Sequence, residues 1–369
     1  MKATTLLLAC TPLVVLAPAA WAQSKVELYG IVDVAVRHTT NEGATGDGSL
    51  TQMIGGGMSQ SRLGFNVTED LGGGLRAIAN LEHRFLADTG QSAATNFFQQ
   101  SWVGLQSNSF GRITIGRQYN VLFDLVTSTY ASYPYSPYFE AYKPEIGFSL
   151  GARASNMLKY TGEYGPIRGG LQYSPSEDAP TGGRTAGGYL RYAADGVALG
   201  GAYQTLQFGS GRKIEAWTLG GSYRIDKWYL SLGYGENKID GNPLTAPLDL
   251  AVLSAIWSGS SVTNGNFGGP AFLAANKRSI AKLGVGYQLT PQMNLGAHYF
   301  RTSQSGPTVA ADTKGNFLTV ALDYALSKRT DVYVEADRTT LKGNANLNGG
   351  TTVGPKSRNG YTIGMRHRF

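Results

Sequence analysis

Tyr361-Thr-Ile-Gly-Met-Arg-His-Arg-Phe369, the last stretch of the sequence, alternates strictly. Side chains of a strand point to opposite faces with period two. Tyr361, Ile363, Met365 and Phe369 therefore share one face, and Thr362, Gly364, Arg366 and Arg368 share the other. One side is apolar and aromatic, and the other is basic. Lipid on one side and water on the other ask for this pattern, which a barrel in a membrane provides.

The pattern recurs upstream. Sixteen strand candidates lie at 26–39, 59–68, 75–85, 98–106, 112–120, 153–162, 167–174, 185–193, 197–206, 213–225, 228–237, 278–289, 292–302, 316–326, 330–341 and 359–369. Their connections alternate between short and long. Ala194-Asp-Gly196, Asp226-Lys227 and Thr290-Pro291 are short and rich in turn formers, whereas two of the long ones exceed 30 residues. An even number of strands with this asymmetry predicts an all-β fold: a 16-stranded antiparallel transmembrane β-barrel with short periplasmic turns and long extracellular loops. No later segment reaches the ~18 apolar residues of a spanning helix. Fifty glycines and 21 tyrosines suit crowded strand faces and interfacial girdles. A secreted soluble β-protein is the competing class, since it shares the alternation and the export signal.

That signal occupies residues 1–22. Lys2 gives a positive start, residues 6–18 an apolar core, and Ala20-Trp21-Ala22 a cleavage site, so the mature barrel is expected to span 23–369. Leu7-Leu8-Ala9-Cys10 resembles a lipoprotein box, but the apolar run continues past it to the better site. Cys10 is the single cysteine and leaves with the leader, so no disulfide, thiolate nucleophile or cysteine metal site is expected.

Parity assigns the faces. Val32, Val34, Val36, Leu63, Phe65, Leu75 and Leu81 look outward; Arg37, Arg62, Arg76, Glu82, Arg84, Arg153 and Lys159 look into the lumen. Charge on the lipid face costs ~2–4 kcal/mol near the bilayer midplane, which fixes the choice. Singly, such charges solvate a water-filled bore. As a set, guanidiniums with few carboxylates among them make an electropositive wall, and basic rings select anions.

The third long connection, 121–152, carries Tyr130, Tyr133, Tyr135, Tyr138, Phe139 and Tyr142 among prolines. So many aromatics on an exposed loop invite association, so the loop is expected to fold into the lumen and narrow it. Asp124, Glu140 and Glu145 would then oppose the arginine wall and set up a transverse field. A loop packed on neighbouring subunits, and an aromatic track for sugars or aromatic solutes, are the other readings. Within 239–277, Leu248-Asp-Leu-Ala-Val-Leu-Ser-Ala-Ile-Trp257 suggests a short helix at the barrel mouth.

Catalysis finds no support. His38, His83, His298 and His367 are scattered without metal spacing, no G-x-S-x-G elbow occurs, and no cofactor or metal is called for. The basic balance does not indicate nucleic acid, because the charges project into a lumen.

The ordered series Val26-Glu-Leu-Tyr-Gly-Ile-Val-Asp33, Ser61-Arg-Leu-Gly-Phe65, Glu69-Asp-Leu-Gly-Gly-Gly-Leu75, Gly111-Arg-Ile-Thr-Ile-Gly-Arg-Gln118 and terminal Phe369 resembles the Gram-negative general porins, in their betaproteobacterial (neisserial-type) branch. The resemblance implies an outer-membrane homotrimer with a constricting third loop, passive diffusion of small hydrophilic solutes and ions, and anion preference. By resemblance Arg62, Glu82 and Arg153 match constriction-wall positions. Arg117 resembles a basic residue before the third loop, although parity points it outward unless a bulge intervenes. Gln99-Gln100 stand where relatives can carry arginines, and the tyrosine–proline run replaces a Pro-Glu-Phe-type acidic motif. The partners expected are outer-membrane lipid and lipopolysaccharide, other copies of the chain, and small solutes and anions. A substrate-selective channel with a tyrosine-rich binding loop and an adhesion or receptor barrel remain the alternatives.

Overall fold

The computed structural model describes residues 24–94, 96–131, 152–176, 183–208, 211, 213–240, 275–307, 312–343, 347 and 354–369. The leader, Tyr133, Tyr135, Tyr138, Phe139, Glu140, Tyr142 and Glu145, and the helix expected at 248–257 lie outside them.

Alternation builds strands β1 (Lys25–Glu42), β2 (Gly48–Ile54), β3 (Arg62–Gly72), β4 (Leu75–Arg84), β5 (Phe98–Ser107) and β6 (Gly111–Tyr119). A helix, α1 (Val121–Thr129), follows. Next come β7 (Arg153–Tyr164), β8 (Ile167–Ser174), β9 (Gly183–Ala194), β10 (Val197–Phe208), β11 (Lys213–Ile225) and β12 (Trp228–Ile239). The set ends with β13 (Lys277–Gln288), β14 (Met293–Ser305), β15 (Thr313–Ala325), β16 (Thr330–Gly343) and β17 (Ser357–Arg368). All pair antiparallel with their neighbours, and β17 returns to β1 in the register Ile31↔Arg368 to Thr39↔Gly360. Phe369 completes the closure: its N–H and C=O exchange bonds of 3.1 and 3.0 Å with Gly30. A side chain at Gly30 would strike the Phe369 ring, so the terminal aromatic needs a glycine beneath it.

The barrel has sixteen strand positions although seventeen strands are present. β3 pairs the first half of β1 and β2 the second, so the two are pieces of one interrupted strand. Residues 55–61 leave the wall between them. Asp33 holds this arc: Oδ1 accepts from Gly57 N at 3.1 Å and from the Tyr333 hydroxyl at 2.5 Å, and Oδ2 accepts from Ser59 N at 2.7 Å. The Arg366 Nη1 donates to Ser59 Oγ at 2.7 Å. Tyr333 and Arg366 belong to β16 and β17, so the arc crosses the inner face of the closure seam.

Burial is the reverse of a soluble core. Inward polar residues are covered, as at Asn80 (4 %) and Lys159 (4 %), while outward Val103 (58 %), Leu171 (65 %) and Ile363 (61 %) are bare. Lipid takes the place of a protein core for the outer face. Tight turns such as Asp195-Gly196, with φ of 52° and 80°, close the short side.

Candidate constriction site

Asn120 caps α1, its Oδ1 accepting from Phe123 N at 2.8 Å, and Asp124 in the first turn suits the helix dipole. The helix rests against the inner face of β8 to β11. Inward glycines make the seat: a side chain on Gly200 would strike Leu125, and one on Gly220 or Gly233 would strike the Tyr130 ring. Four successive carbonyls at the helix end are then taken by four strands. Ser128 O accepts from Arg191 Nε (3.0 Å), Thr129 O from Ser222 Oγ (2.5 Å), Tyr130 O from Lys282 Nζ (2.6 Å) and Ala131 O from the Tyr229 hydroxyl (2.8 Å). These satisfy the orphan acceptors of a helix C-terminus, and two of them bring positive charge to it. The described part of the third long connection therefore sits inside the lumen.

Facing the start of this helix is a compact charged cluster. Glu82, 2 % exposed, accepts from Arg84 Nε at 2.9 Å and lies 3.8 Å from Arg153 Nη2 and 4.0 Å from Arg62 Nη1. Tyr29 donates its hydroxyl to Glu82 at 3.2 Å. The Tyr119 hydroxyl accepts from Arg84 Nη2 at 2.6 Å and Arg153 Nη2 at 2.9 Å, and the Arg153 guanidinium lies 4.4 Å over the Tyr119 ring. That ring stacks on Phe123 of α1 at 4.5 Å. Arg84 Nη1 also donates to Gln60 Oε1 at 3.0 Å, which joins the cluster to the arc at 55–61. Three guanidiniums thus surround one carboxylate, wedged between the helix and the arc.

The remaining expected residues scatter. Lys159 pairs with Asp124 at 2.7 Å and donates to Tyr119 O at 2.8 Å, so the acid of α1 is matched by a wall cation beside it instead of opposing the wall across a gap. Arg37 lies on the β1–β16–β17 wall, bound to Asp337 at 2.7 Å and Thr362 at 2.8 Å. Arg76 donates to Asn108 at 2.9 Å near the short turns, away from the constriction. Arg117 pairs with Ser101, which pairs with outward Leu81, so the register keeps it on the outer side, where it donates to Ser155 Oγ at 3.0 Å. The irregularity that the sequence reading required is present between Gly116 and Gln118, but it kinks the pairing with β7 without bringing Arg117 into the cluster. Tyr130, 0 % exposed and bonded to Thr218, anchors the helix and offers no stacking surface. Gln100 pairs with Glu82 on the lumen side, where a cation would have enlarged the basic cluster.

Sequence reasoning missed Tyr119, Gln60 and the carboxylates Asp331, Glu335 and Asp337, which gather with Asp33 near the closure seam among Arg37 and Arg366. The same parity applied to the last strands would have found the carboxylates. Among the described residues, no group of histidine, cysteine or acidic side chains is arranged to hold a metal ion.

Known proteins carry the same architecture. The family profile described as Gram-negative porin matches residues 3–344. Outer membrane porin protein 32 of Delftia acidovorans is 30 % identical over 95 % of this chain and 96 % of its own length. An outer membrane porin protein of Bordetella pertussis is 29 % identical over the full length of both. Among solved structures, the anion-selective porin from Comamonas acidovorans superposes with a TM-score of 0.73 at 25 % identity, covering 94 % of this chain and all of that one. With a closed sixteen-position barrel, the helix α1 inside it and these matches along nearly its whole length, the chain belongs to the Gram-negative porin family and is an outer-membrane channel, not an enzyme.

Proposed function

We propose that the protein passes small hydrophilic solutes by passive diffusion and prefers anions. One observation carries the preference: Arg62, Arg84 and Arg153 converge on the single carboxylate of Glu82 beside α1. The carboxylate offsets one charge, and Tyr119 and Gln60 add neutral acceptors that hold the guanidiniums in place. Elsewhere on the lumenal side, ion pairs join Arg37 to Asp337, Arg366 to Asp331 and Lys159 to Asp124. The surplus of this cluster sits at the narrowing, where a local field sorts ions most strongly. The relative called anion-selective supports this reading.

Assembly as a homotrimer is supported by an uneven outer wall. From β7 to β15 the outward rim positions are aromatic, including Tyr164, Tyr192, Tyr203, Trp228, Tyr234 and Tyr299. On β1 and β3 to β6 most of the corresponding positions are aliphatic, as at Val36, Leu63, Leu105 and Ile115. A wall whose exposed aromatics are phenylalanines such as Phe65, Phe98 and Phe110, with tyrosine and tryptophan kept to the other side, suits contact with other copies better than contact with lipid headgroups. Removal of the leader after Ala22 completes the reading.

Single-channel conductance against KCl concentration tests the diffusion mechanism. A proportional rise is expected, with closures in threes. A plateau, with block by one solute, would identify a binding channel instead.

A further inference from the structure

We infer that Tyr119 is a positioning residue through which the seat of α1 sets the ion preference of the channel. The link rests on the anion preference proposed above and makes that preference depend on where the helix sits.

Alternation along β6 would assign Tyr119 to the outer wall, with Ile113 and Ile115. The pairing with β7 overrides it. Gly116 is opposite Met157 and Gln118 opposite Ala154, so Ser155 and Asn156 together face the one residue Arg117. Asn156 takes φ of 55° and Gly116 φ of 130°, where a side chain would strike the Ser101 carbonyl. Asparagine and glycine adopt such backbone most readily. A bulge of two residues against one bends its strand and re-aims the side chains beside it. Past this one, Tyr119 is directly opposite Arg153, and its hydroxyl meets inward Arg84 of β4.

Each part of Tyr119 then ties the guanidiniums to the helix. The hydroxyl accepts from Arg84 Nη2 at 2.6 Å and from Arg153 Nη2 at 2.9 Å, and the Arg153 guanidinium lies 4.4 Å from the ring centre. The ring stacks on Phe123, in the first turn of α1, at 4.5 Å and 20°. The carbonyl accepts from Lys159 Nζ at 2.8 Å, and the same ammonium holds Asp124 of α1 at 2.7 Å. Asn120, the next residue, is the helix cap. A shift of the helix therefore carries the Tyr119 ring with it, and the ring carries the acceptor on which two guanidiniums converge. Such bonds weaken steeply as they bend or lengthen. Arg84 is also tethered to Gln60 of the arc at 3.0 Å, so a displaced hydroxyl breaks the bond instead of dragging the guanidinium along. Bore and charge thus change together: a docked helix gives a narrow channel with ordered guanidiniums, and a lifted one gives a wider channel with disordered ones. Arginines held by the strands alone would let the bore widen without any rearrangement of charge.

Reversal potentials of individual open levels, recorded from the purified protein in a planar bilayer under a KCl gradient, test the link. Tyr119→Phe keeps the ring and its stack and removes the shared acceptor. Its chloride-to-potassium permeability ratio is expected to fall about twofold, less than in Arg153→Gln, which loses a whole charge. Its conductance is expected to rise less than that of Tyr130→Ala, because the helix keeps its anchor. Phe123→Leu cuts the link from the helix side without touching a guanidinium and should lower the ratio in the same direction. In Tyr130→Ala the wider level should be less chloride-selective than the narrow one, and adding Tyr119→Phe should remove most of that difference. An unchanged ratio in both Tyr119→Phe and Phe123→Leu, or an undiminished difference between levels in the double variant, overturns the inference, because width alone would then sort the ions. A parent without chloride preference refutes the anion reading and the link with it, whereas a chloride-preferring parent whose ratio survives both substitutions refutes the link alone.

Discussion

Tyr130 is where the position of the constricting helix is most open to perturbation. Its ring fills the slot left by Gly220 and Gly233, its hydroxyl meets Thr218, and its carbonyl is held by Lys282. Removing a fully buried aromatic ring costs about 3–5 kcal/mol through lost transfer and a residual cavity. The cost falls on docking of α1, because the strand ladders of the wall make no use of this side chain. At 1.4 kcal/mol per decade the undocked population rises on the order of 10²–10³-fold in Tyr130→Ala. Single-channel recording should then show a larger mean conductance with added open-channel noise, while the barrel melts within a few degrees of the parent. Tyr130→Phe keeps the ring, loses a contact of about 1 kcal/mol and should conduct like the parent. Gly233→Leu occupies the slot from the other side and should reproduce the Ala phenotype. A folded Tyr130→Ala channel with parental conductance and noise would refute the reasoning, because the helix would then be held by something other than this anchor.

Three further outcomes follow from named contacts. A charge about 6 Å from the ion path in a watery bore contributes roughly 0.7 kcal/mol, or about threefold in local chloride. Arg153→Gln should therefore lower anion preference and Glu82→Gln raise it, both read as shifts of reversal potential in opposite directions. Asp33→Ala strands the Ser59 N–H group and the Tyr333 O–H proton in a buried site, leaves Gly57 N–H only its bond to the Tyr333 hydroxyl oxygen, and should destabilise by about 3–5 kcal/mol; limited proteolysis should then cut within 55–61. Gly30→Val collides with the Phe369 ring and should slow barrel closure, visible as a persisting unfolded band in electrophoresis without heating.

Strand positions were legible because lipid and water enforce period two along each wall, and the expected 167–174 and 213–225 coincide with β8 and β11. Gly48–Ile54 escaped because β2 lies in a Gly/Ser-rich stretch whose pairing with β1 comes from closure and the arc, not from an apolar face. The helix was missed for a related reason. Val121-Leu-Phe-Asp-Leu-Val is short, and its stability comes from the glycine seat and four borrowed donors on other strands, none of them local in sequence. At the site, parity placed Arg62, Glu82, Arg84 and Arg153 in the lumen, but depth along the strand decides which charges meet. Arg76, on the same face of β4 as Arg84, ends beside Asn108 at the short turns. Arg37 shares the lumen yet answers to Asp337, a residue 300 positions away that only closure brings near. Face is local information, and height and partner are not.

The most direct test of the central claim is the reversal potential of the purified protein in a planar bilayer under a KCl gradient. The arginines around Glu82 predict a reversal on the chloride side, which moves toward zero in Arg84→Gln and Arg153→Gln. A cation-selective or neutral reversal in the parent would contradict the account, because the lumenal carboxylates would then outweigh the three guanidiniums gathered around Glu82.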